Sequence, residues 1–536
     1  MAQERESRQN AQGVVDCLII GAGFGGLGAA VGLLGSGASV VLCEALRYPG
    51  GCASSFTRGG QRYESGATLF SGFGPGQLFD DWSRQLELGV EFQALDPLIE
   101  LRTPELVLPV WRDRARFVET LSALEPRFAS SLQRFFAEQK TIADTLWQLF
   151  DTPELLPPFR SSSLWQHSLR TPSYLKLLPL IGQPLGRYIE RHGLSECQAL
   201  RTYLNAVCQI TVQTAADEAE APFALAALDY CFRGTGHVAG GIGSFASAVT
   251  DAISRRGTDV RFSNRVQRIA REPLGDFRVE TRHGTWRARS VIANLLPQDL
   301  ARLLGYADAE LRELSAQVES GWGAVMSYLT LDATKLSEKA AFHLQLVADT
   351  EQEFSCGNHV FCSVSDAREH SDGVASGSKQ RSATLSTHVK LAWLRSLSES
   401  ERADTVRAIQ QAMRRTLELR APEVAGAALH WMPASPRTFE RFTGRFGGYV
   451  GGVPRRAGLA NYRRLGPLRV EPGLYLVGDS VFPGQSILAA ALGGLRTAEA
   501  ICAKELGIGI GKRRLSAQHA DPHVSPPARS RGAPTR

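Results

Sequence analysis

The sequence predicts an α/β chain: a sheet-and-helix unit joined to a mixed α+β region with long helical stretches. Three observations predict it. An apolar run enters a glycine-rich turn and then a helical pattern. A second short apolar run ends in a carboxylate about twenty residues later. The 536 residues, 43% of them apolar, give room for about three domain-sized units.

Residues 14–20 read as a buried strand, 21–26 as a tight turn, and 27–34 as a helix with Leu27, Ala30, Leu33 and Leu34 on one face. Taken whole, residues 14–34 are long enough to cross a bilayer, but Asp16 and six interspersed glycines argue against a span. The turn, Gly21-Ala22-Gly23-Phe24-Gly25-Gly26, is a G-x-G-x-x-G fingerprint. In such a turn the first glycine permits the bend, the second lets backbone approach a pyrophosphate, and the third lets helix pack on strand. The helix N-terminus then offers N–H groups to the phosphates. The strand at 39–43 ends in Glu44, followed by Ala45. A carboxylate there suits a ribose 2′-hydroxyl and repels a 2′-phosphate. A second glycine pair, Gly50 and Gly51, with Cys52 and Ala53 after it, lets the chain run back along the dinucleotide. Residues 63–67 read as a strand entering a turn.

The pattern GAGFGG…E…PGGCASSF…YESGAT resembles the FAD-dependent carotenoid desaturase and isomerase family (phytoene desaturase-like and carotenoid isomerase-like), within the amine-oxidase-like flavoproteins. A second match is GLYLVGDSVFPGQS at 473–486, and a third is GGIGS at 240–244 with a helix and strands after it. The resemblance implies FAD as cofactor and a discontinuous, Rossmann-like FAD-binding domain of the GR2 type, built from 14–95, 232–300 and 435–506. It implies that Val266 holds the adenine by its backbone and that Asp479 bonds the ribityl–phosphate portion. Gly478, Gln485, Ser486 and Ile487 would border the flavin, where the helix at 487–502 begins. Residues 96–231 and 301–434 would form the substrate domain with its cap. The implied substrate is a hydrophobic polyene or isoprenoid lipid, and the implied reaction is desaturation or cis–trans isomerisation of carbon–carbon double bonds. The string at 479–485 is closer to the isomerases, although Ser486 stands where they have glycine. The segment 435–443, with the glycines of 448–452, is closer to the 3,4-desaturases, so the direction of redox stays open. Two other readings share the fold: a retinol saturase-like or other lipid FAD oxidoreductase, and a non-enzymatic escort of prenyl-lipid proteins. A simple NAD-dependent dehydrogenase leaves the C-terminal block unexplained.

Between the blocks, residues 100–230 lack a strong strand pattern and carry helical stretches such as 117–149. Residues 175–192 are apolar, edged by Lys176, Arg187 and Arg191 and broken by Pro179 and Pro184. They read either as a monotopic membrane contact or as a helix packed inside the cap. Residues 305–440 suggest a second lobe with a strand at 323–331, a helix at 399–419 and a polar loop at 366–380. No H-E-x-x-H, G-x-S-x-G or His/Cys ligand cluster occurs. No catalytic residue and no metal site are therefore assigned, and the chemistry is expected to rest with the cofactor. His237, before the glycine pair, reads as a cavity residue or a structurally satisfied one.

The formal net charge is +6, but Lys512, Arg513, Arg514, Arg529, Arg531 and Arg536 against Asp521 supply five of those charges. The near-neutral body does not suit nucleic acid. The segments 1–13 and 507–536 are expected to be disordered, with the basic tail a solvated terminus or an anionic-membrane contact. The nine cysteines form no C-x-x-C pair, which suits reduced thiols in a cytoplasmic setting. The polar start does not read as a secretory signal. A cytoplasmic protein, peripheral on a membrane face at most, is the expectation.

Overall fold

The structure is a computed structural model that describes residues 13–159, 161–367, 369 and 379–507. The expected disorder of 1–12 and 508–536, and most of the polar loop at 366–380, lie outside the described residues.

Two eight-stranded sheets organise the chain. The first has the strand order Val266–Arg271, Phe277–Thr281, Gly284–Asn294, Val15–Ile20, Val40–Cys43, Asp259–Arg261. Val15–Ile20 is parallel to both of its neighbours. Its run Cys17–Ile20 is buried, as a parallel strand covered on both faces requires. Gly284–Asn294 is long enough to serve two partners in succession besides Val15–Ile20. Its first half pairs antiparallel with Phe277–Thr281, and its end pairs parallel with Leu474–Val477, which also carries Leu468–Glu471. Strands from both ends of the sequence thus share one sheet, the Rossmann-like arrangement expected.

The second sheet is mixed, running Ala428–Ala434, Trp322–Asp332, Gln380–Lys390, His359–Val364, Phe342–Val347, Ile99–Arg102, Val107–Val110. The last two strands fall at the start of the region 100–230, where the sequence shows no strong strand pattern. They are four-residue strands, and Pro109 sits at the sheet edge, where its missing N–H costs no ladder bond. Six cap helices lie between the sheets in sequence: Arg114–Leu124, Ala129–Asp151, Ser161–Leu175, Leu185–Arg191, Gln198–Thr211 and Ala221–Leu228. The single helical stretch expected at 117–149 is broken. Glu125, before Pro126, leaves helical geometry, and a 3-10 turn, Pro126–Phe128, separates the two helices.

The apolar stretch at 175–192 divides in two. Leu180, Leu185, Tyr188 and Ile189 are buried in the cap core, so the part beyond Pro179 is packed inside. The exposed apolar side chains lie upstream: Phe159, Leu164, Trp165, Leu169, Leu175 and Leu178. Among the described residues no helix is long and apolar enough to cross a membrane.

Candidate dinucleotide and substrate site

The fingerprint helix begins earlier than the sequence suggests, at Phe24, with Gly23 as its N-cap. Gly25 and Gly26 therefore lie in its first turn. Phe24 enters an aromatic cluster with Phe70, Phe79 and Phe245, which anchors the helix start to the helix Ile242–Arg255. A Cβ built on Gly26 would lie 2.0 Å from the Gly21 carbonyl oxygen, so helix and strand approach as closely as the motif requires. No side chain caps the helix, which leaves its first-turn N–H groups without a side-chain acceptor.

Glu44 is 7% exposed. One carboxylate oxygen accepts from the Ala22 N–H and the other from the Leu46 N–H, both at 2.7 Å. Burial raises its pKa; the amides and the Arg265 guanidinium oppose the rise. Each oxygen keeps a lone pair for a further donor. The Gly50 N–H donates to Ala22 at 2.8 Å, which ties the second glycine pair to the first.

Three residues that sequence reasoning did not single out shape the site. Asn294, at the tip of its strand, fills the space between the two glycine motifs. Cβ atoms on Gly23, Gly25 and Gly478 would lie 2.7, 2.6 and 3.0 Å from its amide. Arg445 bonds Asp479 at 2.9 Å and the Tyr449 carbonyl at 2.7 Å. Its guanidinium pKa is raised: burial lowers it, but Asp479 and its neighbours outweigh that. Arg265 stands beside Glu44 and against Gly444. The order of the chain gives no local signal for any of the three, since each arrives from a distant element.

Ser486 adopts φ +103°, a region that favours glycine, and its hydroxyl accepts from the Ala489 N–H at 3.0 Å as the N-cap of the helix Ile487–Lys504. Gln485 donates to the Ile210 carbonyl at 2.8 Å, joining this motif to the cap.

These residues border one cavity of about 660 Å³. Gly21, Gly23, Gly25, Glu44, Ala45, Gly50, Gly51, Cys52, Ala53, Val266, Gly478, Asp479, Gln485, Ser486 and Ile487 line it. Ala22 and Gly26 do not. Ala22 is committed to Glu44 and Gly50, and Gly26 faces Gly21. His237 lies outside this cavity; it is buried, and its Nε2 bonds Glu369.

The cavity changes character along its length. Near the glycine motifs its wall carries Glu44, Arg265, Asp299, Arg302, Arg445 and Asp479. Beyond them the wall is mainly apolar, with Trp147, Phe150, Leu156, Phe223, Met326 and Phe361. His388 reaches this half, but burial lowers its pKa to about 4, so it is neutral at neutral pH. Glycines that leave room for backbone contact, bare helix N–H groups, arginines and a ribose-suited carboxylate together fit a dinucleotide. Among the described residues no group of three or more His, Cys, Asp or Glu is placed to hold a metal ion.

Residues 19–86 match the model of the NAD(P)-binding Rossmann-like domain. Prolycopene isomerase 1, chloroplastic, of an Oncidium hybrid cultivar is 25% identical over 521 residues, covering 92% of this chain and 84% of its own. Prolycopene isomerase, chloroplastic, of Arabidopsis thaliana is 22% identical over 534 residues, covering 95% and 85%. A neurosporene-forming phytoene desaturase of Cereibacter sphaeroides is 29% identical over 168 residues, covering 28% of this chain and 32% of its own. Among solved structures, an oxidoreductase from Methanosarcina mazei aligns with a TM-score of 0.61 at 18% identity, over 90% of this chain and 100% of that one. Putrescine oxidase bound to putrescine aligns at 0.58 and 16%, over 91% and 99%. With the fingerprint, the C-terminal motif and the shared sheet, these likenesses support the resemblance to the carotenoid desaturase and isomerase family, and the solved structures share the fold.

Proposed function

We propose that the protein is an FAD-dependent oxidoreductase acting on the carbon–carbon double bonds of a carotenoid or related polyene. One observation carries the reading: a single cavity joins a charged dinucleotide cradle to a long apolar wall. When bound, FAD supplies the electron-transfer chemistry at the polyene. Glu44 takes the ribose, the fingerprint helix and arginines take the pyrophosphate, and Asp479, held by Arg445, takes the ribityl chain. The apolar wall excludes water and aligns the polyene.

Cis–trans isomerisation is favoured over net desaturation. Desaturation releases a proton, and among the described residues the apolar half has no carboxylate to accept it. His388 is neutral but sits in a site that disfavours its charged form. The resemblance to prolycopene isomerases over most of both chains supports the same choice.

The exposed apolar residues around the helix Ser161–Leu175 support a peripheral position on a lipid surface, where such substrates reside. Exposed Lys176 beside Leu175 suits an anionic one. The C-x-x-C-free cysteines support a reducing compartment such as the cytoplasm.

The test is product mass and retention time after incubating the flavin-loaded protein with carotenes and apocarotenoids. Unchanged mass with shifted retention is the expected result. Loss of two hydrogens would replace isomerisation with desaturation. No change in any polyene would overturn the substrate class.

A further inference from the structure

The apolar half of the cavity contains one cation that the fold does not explain. Arg455 lines the cavity wall, with its guanidinium 5.0 Å from the centre of the Phe223 ring. On its other side is the C-terminal motif: a Cβ built on Gly484 would lie 2.5 Å from one of its terminal nitrogens. Its backbone is fixed, donating to Val212 at 3.0 Å and accepting from Glu220 at 2.9 Å. The guanidinium itself makes no hydrogen bond or ion pair among the described residues.

The carboxylate of Glu220, whose backbone pairs with that of Arg455, is committed elsewhere. Glu220 is fully buried, and its carboxylate accepts from Gly182 at 2.6 Å, Tyr462 at 2.7 Å and Gly458 at 2.7 Å. Burial lowers the Arg455 guanidinium pKa to about 10, and the neighbouring Tyr462 hydroxyl opposes the fall only in part. Beside it in the wall is Gln213, one residue after Val212. Gln213 is 1% exposed, its side-chain oxygen has no partner among the described residues, and its backbone holds φ +59°. Isolated buried polar groups of this kind are costly unless a ligand satisfies them.

We propose that Arg455, with Gln213 beside it, docks an oxygen function at one end of the polyene, so that the preferred ligand is a carboxylate-terminated polyene rather than a pure hydrocarbon. This rests on the polyene reading above. A planar guanidinium matches a carboxylate in a bidentate pair, and the apolar wall keeps that pair out of water. Docking one end fixes which double bonds lie beside the dinucleotide cradle. Arg455 is thus a positioning and specificity residue; it takes no bond-making role.

The experiment is equilibrium binding to the flavin-loaded protein of three probes, an apocarotenoid acid, its methyl ester and lycopene. Wild type is compared with Arg455→Leu and Arg455→Lys. Cofactor content, flavin spectrum and melting temperature are recorded for each. The expected result is about ten- to hundredfold tighter binding of the acid than of lycopene in wild type. Arg455→Leu loses that preference, Arg455→Lys keeps part of it, and neither loses FAD. The melting temperature of Arg455→Leu stays level or rises, since a desolvated, unpaired cation has been removed. Three outcomes overturn the inference. Equal binding of all three probes, unchanged in the variants, removes the preference and leaves the polyene reading intact. A loss of FAD or a shifted flavin spectrum, with the acid preference kept, assigns Arg455 to the cofactor. Binding of none of the probes removes the polyene reading as well.

Discussion

A Cβ built on Gly28 would stand 2.1 Å from the carbonyl oxygen of Ala491, so the fingerprint helix and the C-terminal helix meet at backbone contact. The seam continues on both sides. A Cβ on Gly494 would lie 1.9 Å from the Gly25 carbonyl oxygen, and one on Gly32 would lie 2.7 Å from the Ala498 Cβ. Small residues thus bring the two ends of the sequence close enough to border one cavity. Replacing Gly28 with leucine is expected to force the helices apart, at a cost of about 1–3 kcal/mol. Thermal unfolding with and without added FAD checks this. The variant should melt earlier and gain less from the cofactor than wild type does.

Asp479 and Arg445 neutralise each other in a partly buried pair. Asp479→Ala leaves the guanidinium without its main partner. The expected loss is about 2–3 kcal/mol, below the range for a fully buried pair because both side chains retain some solvent contact. Asp479→Asn keeps the shape and should be milder in stability while still weakening cofactor retention. Denaturant titrations of both variants, with flavin content measured on the same samples, separate the two effects.

Ser486 combines a glycine-like backbone with a serine cap. Ser486→Gly removes the strain and the cap together, whereas Ser486→Ala removes the cap and keeps the strain. Alanine is therefore expected to destabilise by about 1 kcal/mol more than glycine does. An order reversed in paired thermal melts would show that the backbone at 486 is not strained.

Glu64 gives a pH dependence with a definite sign. Burial pushes its carboxyl up to about 7, although His237, the Ile242 N–H and Arg62 oppose the rise and Glu369 adds to it. A folded-state value above the ordinary one means that the folded protein holds the proton more tightly. Stability from this group is full below about pH 4 and is lost as the pH rises through about 7. His237 acts in the same direction. Burial lowers its pKa, but the carboxylates of Glu369, Glu64 and Asp366 more than compensate, and it ends raised. Glu64→Gln should flatten its share of the curve between about pH 5 and 7. The quantity to measure is the difference in unfolding free energy between wild type and variant across that window. A difference that does not change with pH would show that Glu64 keeps an ordinary carboxyl.

Trp165 and Leu169 stand exposed on the helix Ser161–Leu175. Trp165→Ser with Leu169→Ser is expected to lower sedimentation with anionic liposomes at least severalfold while leaving the melting temperature within about 1 °C, because neither side chain supports the core. Equal sedimentation of variant and wild type would place the lipid contact elsewhere or nowhere.

The parts legible in the sequence are those written over short distances. The G-x-G-x-x-G spacing, Glu44 after its strand and the strand at 474–477 each declare themselves within a few residues, and each lies where it is read. What the sequence hides is tertiary. Asn294 closes the strand between the two glycine motifs, and Arg445 and Arg265 reach the cavity from loops whose local pattern is ordinary. The hairpin of Ile99–Arg102 and Val107–Val110 escapes notice because each strand is only four residues long, so the alternation of Ile99, Glu100, Leu101 and Arg102 is too short to stand out. Pro126 was a readable break in the helical stretch, and the apolar spacing on either side masks it. Whether an apolar run such as 175–192 faces core or solvent depends on its neighbours, and residues on the two sides of Pro179 took opposite answers.

That both ends of the chain close on one FAD molecule is tested most directly by the nucleotide content of the purified protein. The nucleotide is released by denaturation, identified by mass and counted per chain, and the measurement is repeated after titration with FAD and with NAD(P). The predicted result is one FAD per chain, native or taken up on titration, and a marked loss of it in Glu44→Arg. Failure to hold FAD under either condition, or full FAD occupancy in Glu44→Arg, would contradict it.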